Sequence, residues 1–201
     1  MSTARLILAS ASPRRQALLR DAGFAFVLAP ADIDEENYPP GISPAELAEY
    51  LAVAKAECVA ARFPDDVTLG ADTVVCLGNR LLGKPANTAH ATAMLRTLSG
   101  TTHEVITGVA LVGNQLKRSI RVISTVQMRK LETAEIDAYV ASGQWQGKAG
   151  GYGIQDDDPF VMRMTGSLSN IVGLPMEATI ELLSDAGIRS HLKRPRKSPV
   201  E

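Results

Sequence analysis

Two β-patterned segments, His103 to Val112 and Arg118 to Met128, flank the turn dipeptide Gly113-Asn114 and constrain this chain more than any other feature. Both turn residues tolerate the positive φ that a tight hairpin demands, so the pair predicts a β-hairpin. An antiparallel hairpin inside a chain that otherwise mixes helix and strand patterns excludes a strictly doubly wound parallel sheet. The expected class is α/β, with a mixed β-sheet flanked by helices.

The remaining pattern fits that class. Arg5 to Ala9 is a short apolar run that predicts a buried strand, followed by a helix with Ser12 as its cap and Pro13 in its first position. Leu18, Leu19 and Ala22 give that helix its inner side, Gly23 ends it, and Phe24 to Leu28 predicts a second strand. Ser43, Pro44 and Glu46 form a capping box opening a helix to about Arg62, with Leu47, Leu51, Ala54 and Cys58 as its buried stripe. Val67 to Leu77 is rich in β-branched residues and predicts a central strand. Helices follow at Asn87 to Leu98, Thr133 to Ser142 and Pro175 to Leu183, with a strand at Phe160 to Met164. The glycine-rich stretch from Gly143 to Gly153, which holds the sole tryptophan, predicts a loop outside the core. No linker divides the chain, so residues 1–190 are expected to form one domain and 191–201 a basic tail.

With 201 residues and 45% hydrophobic side chains, the chain is long enough to bury a core. Its 21 basic residues against 22 acidic ones give no reason to expect a nucleic-acid or membrane partner, so any phosphate chemistry has to be local. Cys58 and Cys76 lie in apolar periodic segments without metal-ligand spacing, which predicts reduced thiols and a reducing, cytoplasmic setting. The apolar run near the start is short for a signal peptide, and no segment approaches the roughly 20 apolar residues of a membrane span.

Several residues are out of character for these elements. Asp72 stands alone among Leu69, Ala71, Val74 and Val75, where an unpaired carboxylate would be expensive to desolvate. Backbone amides could satisfy it, or it could face a cleft or a metal ion and serve as base or ligand. Lys55 sits beside the stripe of its helix; by itself it reads as a side chain extending past the edge of the core into water. Ser10, Ser12, Arg14 and Arg15 gather hydroxyls and guanidinium groups at a strand-to-helix corner suited to an anion, although that segment alone reads first as an ordinary capped helix with solvated arginines. Gly83-Lys84-Pro85 places a cation on a constrained loop, and Gln155 offers an amide that can donate and accept toward a base edge. The run Asp156-Asp157-Asp158 reads as a solvated turn.

Taken in order, Leu8 to Arg15, Gly70 to Val75, Gly83-Lys84-Pro85 and Ala149 to Gln155 resemble the Maf family of nucleotide pyrophosphatases, as do Leu98-Ser99-Gly100, His103 to Thr107 and Ser169 to Pro175. The resemblance runs from about Leu6 to Gly187. It implies an elongated fold like that of the inosine triphosphate pyrophosphatases, with two lobes about a central cleft, and a homodimer. It also implies hydrolysis of a nucleoside triphosphate to monophosphate and pyrophosphate with a divalent cation, Mg²⁺ or Mn²⁺. Matched residue by residue, the resemblance makes Asp72 the catalytic base, sharing the metal with Glu35, has Arg14, Lys55 and Lys84 contact the triphosphate, and counts Ser12 and Arg15 among the substrate-binding residues.

Thr73 and Gln155 match the branch of the family selective for dTTP and UTP, and not the branch acting on 7-methyl-GTP, which carries glutamine and glutamate there. Gly153 stands where alanine is common and Asp156 where glycine is common, two departures that leave the catalytic residues intact and bear on the loop conformation and the base preference. Two other roles accompany the family: removal of modified pyrimidine nucleotides, and non-catalytic nucleotide binding in control of septum formation.

Overall fold

The computed structural model describes residues 4–113, 115–155 and 160–192. Its strands are β1 (Leu6–Leu8), β2 (Val27–Leu28), β3 (Val67–Leu77), β4 (Arg80–Leu82), β5 (Thr102–Gly113), β6 (Leu116–Met128) and β7 (Val161–Thr165). The helices are α1 (Pro13–Asp21), α2 (Pro44–Ala60), α3 (Thr88–Leu98), α4 (Thr133–Ser142), α5 (Leu168–Val172) and α6 (Met176–Asp185). The strands form one mixed sheet in the order β2-β1-β3-β5-β6-β7, with β4 also on β3. β1 runs parallel to both β2 and β3, and the other pairings are antiparallel. The hairpin forms as the pattern predicts. Its last paired residues are Gly113 and Leu116, so the loop falls one residue later than the dipeptide suggests, and Asn114 lies outside the described residues.

β3 organises everything that follows. One of its edges pairs along Thr68–Cys76 with β5, while its other edge pairs with β1 at Val67–Leu69 and with β4 only from Val75. The intervening stretch, Gly70 to Val74, is left uncovered on that edge, and Asp72 is at its centre. Alternation along the strand sends Leu69, Ala71, Thr73 and Val75 to one face and Gly70, Asp72 and Cys76 to the other. On the first face the core splits around Thr73. Leu69 and Ala71 join Leu8, Leu19, Val109, Leu111 and Leu183. Val75 joins Leu95, Val105, Val126, Ile136 and Trp145.

On the other face α2 lies unusually close to the sheet. A Cβ on Gly70 would meet the Ala52 carbonyl oxygen at 2.2 Å, and one on Gly108 would meet that of Ala48 at 2.2 Å. Only glycine leaves room for that approach, and the fully buried Ala48, Ala52 and Ala56 fill the seam. The capping box that starts α2 is present, with Glu46 accepting from the Ser43 N–H and Ser43 accepting from the Glu46 N–H.

The buried face of α2 differs from the expected stripe. Leu47 and Leu51 are buried, but Ala54 and Cys58 are only partly so, and the face continues through Lys55, Ala56 and Val59. Lys55 is therefore inside, not extended past the edge of the core. Trp145 is also a correction. It is buried in the cluster around Leu95, with its indole N–H donating to the Val140 carbonyl at 3.0 Å, so the glycine-rich stretch begins in core. β2 is shorter than expected, and β4 and α5 carry too few residues to leave a periodic signal. Both cysteines are free, Cys76 buried and Cys58 partly buried. Among the described residues no helix is long and apolar enough to cross a membrane. The Asp156 to Asp158 run and the basic segment Lys193 to Lys197 lie outside the described residues.

Candidate active site

A cleft of about 550 Å³ opens over the uncovered edge of β3. Its walls include every residue singled out from the sequence: Ser12, Arg14, Arg15, Glu35, Lys55, Asp72, Thr73, Lys84 and Gln155. Segments far apart in the chain meet here because β1 delivers residues 9–15 beside β3, α2 crosses behind it, and the β4 exit brings Lys84 to the rim.

The ionic part of the cleft lies on the α2 face. Lys55 Nζ is 2.6 Å from Asp72 Oδ1 and 2.7 Å from Glu35 Oε1, so one buried ammonium bridges two carboxylates. Lys84 Nζ approaches the other Glu35 oxygen at 3.7 Å. This answers the question posed by a lone carboxylate in an apolar strand: Asp72, 7% exposed, is matched by a lysine that is itself 7% exposed. Partial burial of Glu35 disfavours its charged form, yet the hydrogen bond and charge of Lys55, with Lys84 behind, outweigh it and hold the carboxyl below its ordinary pKa.

The other face of β3 is held by hydrogen bonds. Arg15 donates through Nε to the Gly173 carbonyl at 2.8 Å, through Nη1 to Ser10 Oγ at 3.1 Å and through Nη2 to Thr73 Oγ1 at 3.0 Å. Thr73 Oγ1 is 3.0 Å from Thr107 Oγ1, its register partner on β5, and Thr107 donates to the Asn170 carbonyl at 3.1 Å. Asn170 in turn donates to the Val105 carbonyl and to Ser124 Oγ. Burial lowers the pKa of Arg15, opposed chiefly by the Asp72 charge. Arg15 is thus tied into the scaffold, whereas Arg14 lines the cleft with no hydrogen bond or ion pair among the described residues. Ser12 caps α1 by accepting from the Arg15 N–H at 3.5 Å.

The segment 146–155 closes the remaining side. Gly150 and Gly151 both hold φ of +74° in a single 3-10 turn, and the Gly150 N–H donates to the Gly83 carbonyl at 3.1 Å. That bond docks the turn on the loop bearing Lys84. It also brings Lys148 and Tyr152 to the wall beside Gln155, which is exposed.

Sequence reasoning gave no role to Lys148, Tyr152, Thr107 or Asn170. Each stands in or beside a motif already noticed, but their inward orientation depends on the two positive-φ glycines and on strand register. In all, five cationic side chains (Arg14, Arg15, Lys55, Lys84 and Lys148) face two carboxylates in a cleft of a chain whose net charge is −1. Such a surface attracts a polyanion.

A sequence model of the family described as Maf-like protein matches residues 5–186. The dTTP/UTP pyrophosphatase of Cereibacter sphaeroides is 47% identical over 91% of this chain and 95% of its own length. The proteins of the same name from Caulobacter vibrioides (46%, 92% and 96%) and Symbiobacterium thermophilum (44%, 91% and 94%) are comparably similar. Among solved structures, protein VC0702 from Vibrio cholerae gives a TM-score of 0.40 at 11% identity over 71% of this chain and 79% of that one. The Staphylococcus aureus Ham1 protein gives 0.42 at 13% identity over 62% and 71%. Likenesses that loose add nothing to the fold. A family match across nearly the whole chain, together with relatives this similar from end to end, places the protein in the Maf family.

Proposed function

We propose that this chain is a nucleoside triphosphate pyrophosphatase that hydrolyses dTTP and UTP to the monophosphate and pyrophosphate. One observation carries the reading: the cleft gathers five cations around the paired carboxylates of Asp72 and Glu35. The names of the relatives at 44–47% identity support the pyrimidine nucleotides as substrates.

In this reading Arg14, Lys84 and Lys148 hold the triphosphate against the cleft wall and neutralise the charge that grows on the departing pyrophosphate. Lys55 holds Asp72 in place and adds a further cation. Asp72 takes the proton of the attacking water as the bond between the α and β phosphates breaks. Thr73 and Gln155 face the nucleoside, where the Gln155 amide offers both a donor and an acceptor to a uracil or thymine edge.

The carboxylates also fit a divalent cation. Glu35 and Asp72 converge within hydrogen-bond distance of one ammonium, and two carboxylates completed by phosphate and water oxygens are a donor set that Mg²⁺ or Mn²⁺ accepts. Among the described residues no cluster of three or more acidic, histidine or cysteine side chains accompanies them, so the remaining ligands would be substrate and water oxygens. Such an ion supplies Lewis acidity to the phosphates and lowers the pKa of water.

The test is pyrophosphate release from dTTP, UTP, ATP, GTP and 7-methyl-GTP with Mg²⁺ or Mn²⁺. Turnover of dTTP and UTP at least tenfold ahead of the other three is expected. Equal rates on all five would remove the pyrimidine assignment, and nucleotide binding without turnover would make the protein a regulator.

A further inference from the structure

His103 and Tyr152 form a buried pair to which the proposed reaction assigns no part. His103 Nε2 lies 2.6 Å from the Tyr152 hydroxyl, and the rings meet edge to face with centroids 5.5 Å apart. His103 is 1% exposed on β5, two residues before Val105, which lines the cleft. Tyr152 is 7% exposed and itself lines the cleft. The other imidazole nitrogen, Nδ1, is buried without a hydrogen-bond partner, so the phenol supplies the one polar contact that compensates the ring for leaving water. Burial drives the imidazole pKa down to about 4 and the phenol pKa up, so both groups are neutral at pH 7.

The bond spans two parts of the fold that no strand pairing connects. Tyr152 ends the turn formed by Gly150 and Gly151, and that turn is docked on Gly83 through the Gly150 N–H and against Pro85, 3.1 Å from where a Gly151 Cβ would stand. Lys148 lies before the turn and Gln155 after it, both on the cleft wall. One anchor point on β5 thus meets the segment that carries two cleft residues.

We propose that His103 is a positioning residue for nucleotide binding: as a neutral imidazole it clamps the Tyr152 hydroxyl, and through Tyr152 it holds the 146–155 wall, with Lys148 and Gln155, at the distance from β3 that a nucleotide requires. The inference rests on the pyrophosphatase reading given above. It assigns His103 a role in affinity, whereas the Asp72 cluster governs rate.

The experiment compares Tyr152→Phe, His103→Leu and His103→Gln in the full chain, using dTTP with Mg²⁺. Tyr152→Phe keeps the ring packing and removes only the hydroxyl, so it remains informative if His103→Leu fails to fold. Glutamine can place an amide nitrogen near the position of Nε2. The expected result is a KM about tenfold higher in Tyr152→Phe and His103→Leu with kcat within about threefold. His103→Gln should return KM to within about threefold of wild type, and the double variant Tyr152→Phe/His103→Leu should be no worse than the weaker single one.

A KM unchanged in folded Tyr152→Phe would overturn the proposal, as would a loss confined to kcat or a glutamine variant no better than leucine. Trp145 provides an arm independent of turnover, since it is the only tryptophan and sits beside the anchored wall. Its acrylamide quenching should rise in Tyr152→Phe and not in His103→Gln, and identical quenching in all variants would count against the clamp. Failure of the wild-type chain to hydrolyse any nucleotide would defeat the pyrophosphatase reading alone, leaving the quenching arm to decide the clamp.

Discussion

Asp72 and Thr73 are neighbours in the chain, yet strand alternation gives them opposite surroundings. Asp72 enters a charged assembly with Lys55, Glu35 and Lys84, part of which is open to water. Thr73 enters a chain of hydrogen bonds through Arg15, Thr107 and Asn170 that is largely enclosed. The first arrangement presents charge to a ligand and stores little order of its own. The second uses nearly all its donors internally and fixes the positions of β1, β3, β5 and the segment after α5. One residue of pleat thus separates a reactive surface from the framework that holds it.

The largest effect should come from the charged side. Asp72→Asn is expected to lower kcat by about a thousandfold or more in a protein that still folds, because general-base contributions are of order 10²–10⁴. Activity within tenfold of wild type would take Asp72 out of the chemistry. Thr73→Val tests the other side. It preserves shape but strands the Arg15 Nη2 donor, while Thr107 keeps the Asn170 carbonyl, and should lower stability by about 1–3 kcal/mol, with kcat within about tenfold. A change in rate larger than the change in stability would erase the distinction between the two faces.

The smallest effect concerns pH. The folded-state pKa of Glu35 lies below its ordinary value, so its contribution is complete above the usual carboxylate range and is lost as pH falls through the folded value. Melting temperature between pH 6 and pH 3 should therefore fall slightly further for wild type than for Glu35→Gln. The difference should shrink with added salt because Glu35 is half exposed. Equal slopes would mean that the Glu35 ion pairs contribute nothing to stability.

These contrasts also explain what could be read from the sequence. The hairpin, the capped start of α2 and the full extent of β3 were legible because their signals are local: turn chemistry, a capping box, a β-branched run. The buried face of α2 departs from the sequence pattern beyond Leu51 because hydrophobicity favours large side chains. Here the sheet selects alanines, since Gly70 and Gly108 let the helix backbone approach. Lys55 could not be recognised as buried from its helix, because its two partners come from a loop before α2 and a strand after it. Trp145 departs from its local pattern for a similar reason. Glycines suggested a loose loop, but with positive φ they fold the segment back onto the core. The site was legible as a set of motifs through family resemblance; the division of labour between Arg14 and Arg15 was not, because it depends on the Gly173 carbonyl, far along the chain.

The two glycines under α2 matter in a further way. Neither has a positive φ, so what they provide is space and not backbone freedom. The contact they permit is main chain against main chain, made of atoms that every residue carries. The spacing between Lys55 and Asp72 is therefore gauged by the backbone and is largely insulated from changes in neighbouring side chains. The cleft walls can be rewritten to suit a different base while that gauge stays the same, whereas any side chain at position 70 or 108 would wedge the helix off the sheet and shift the charges apart.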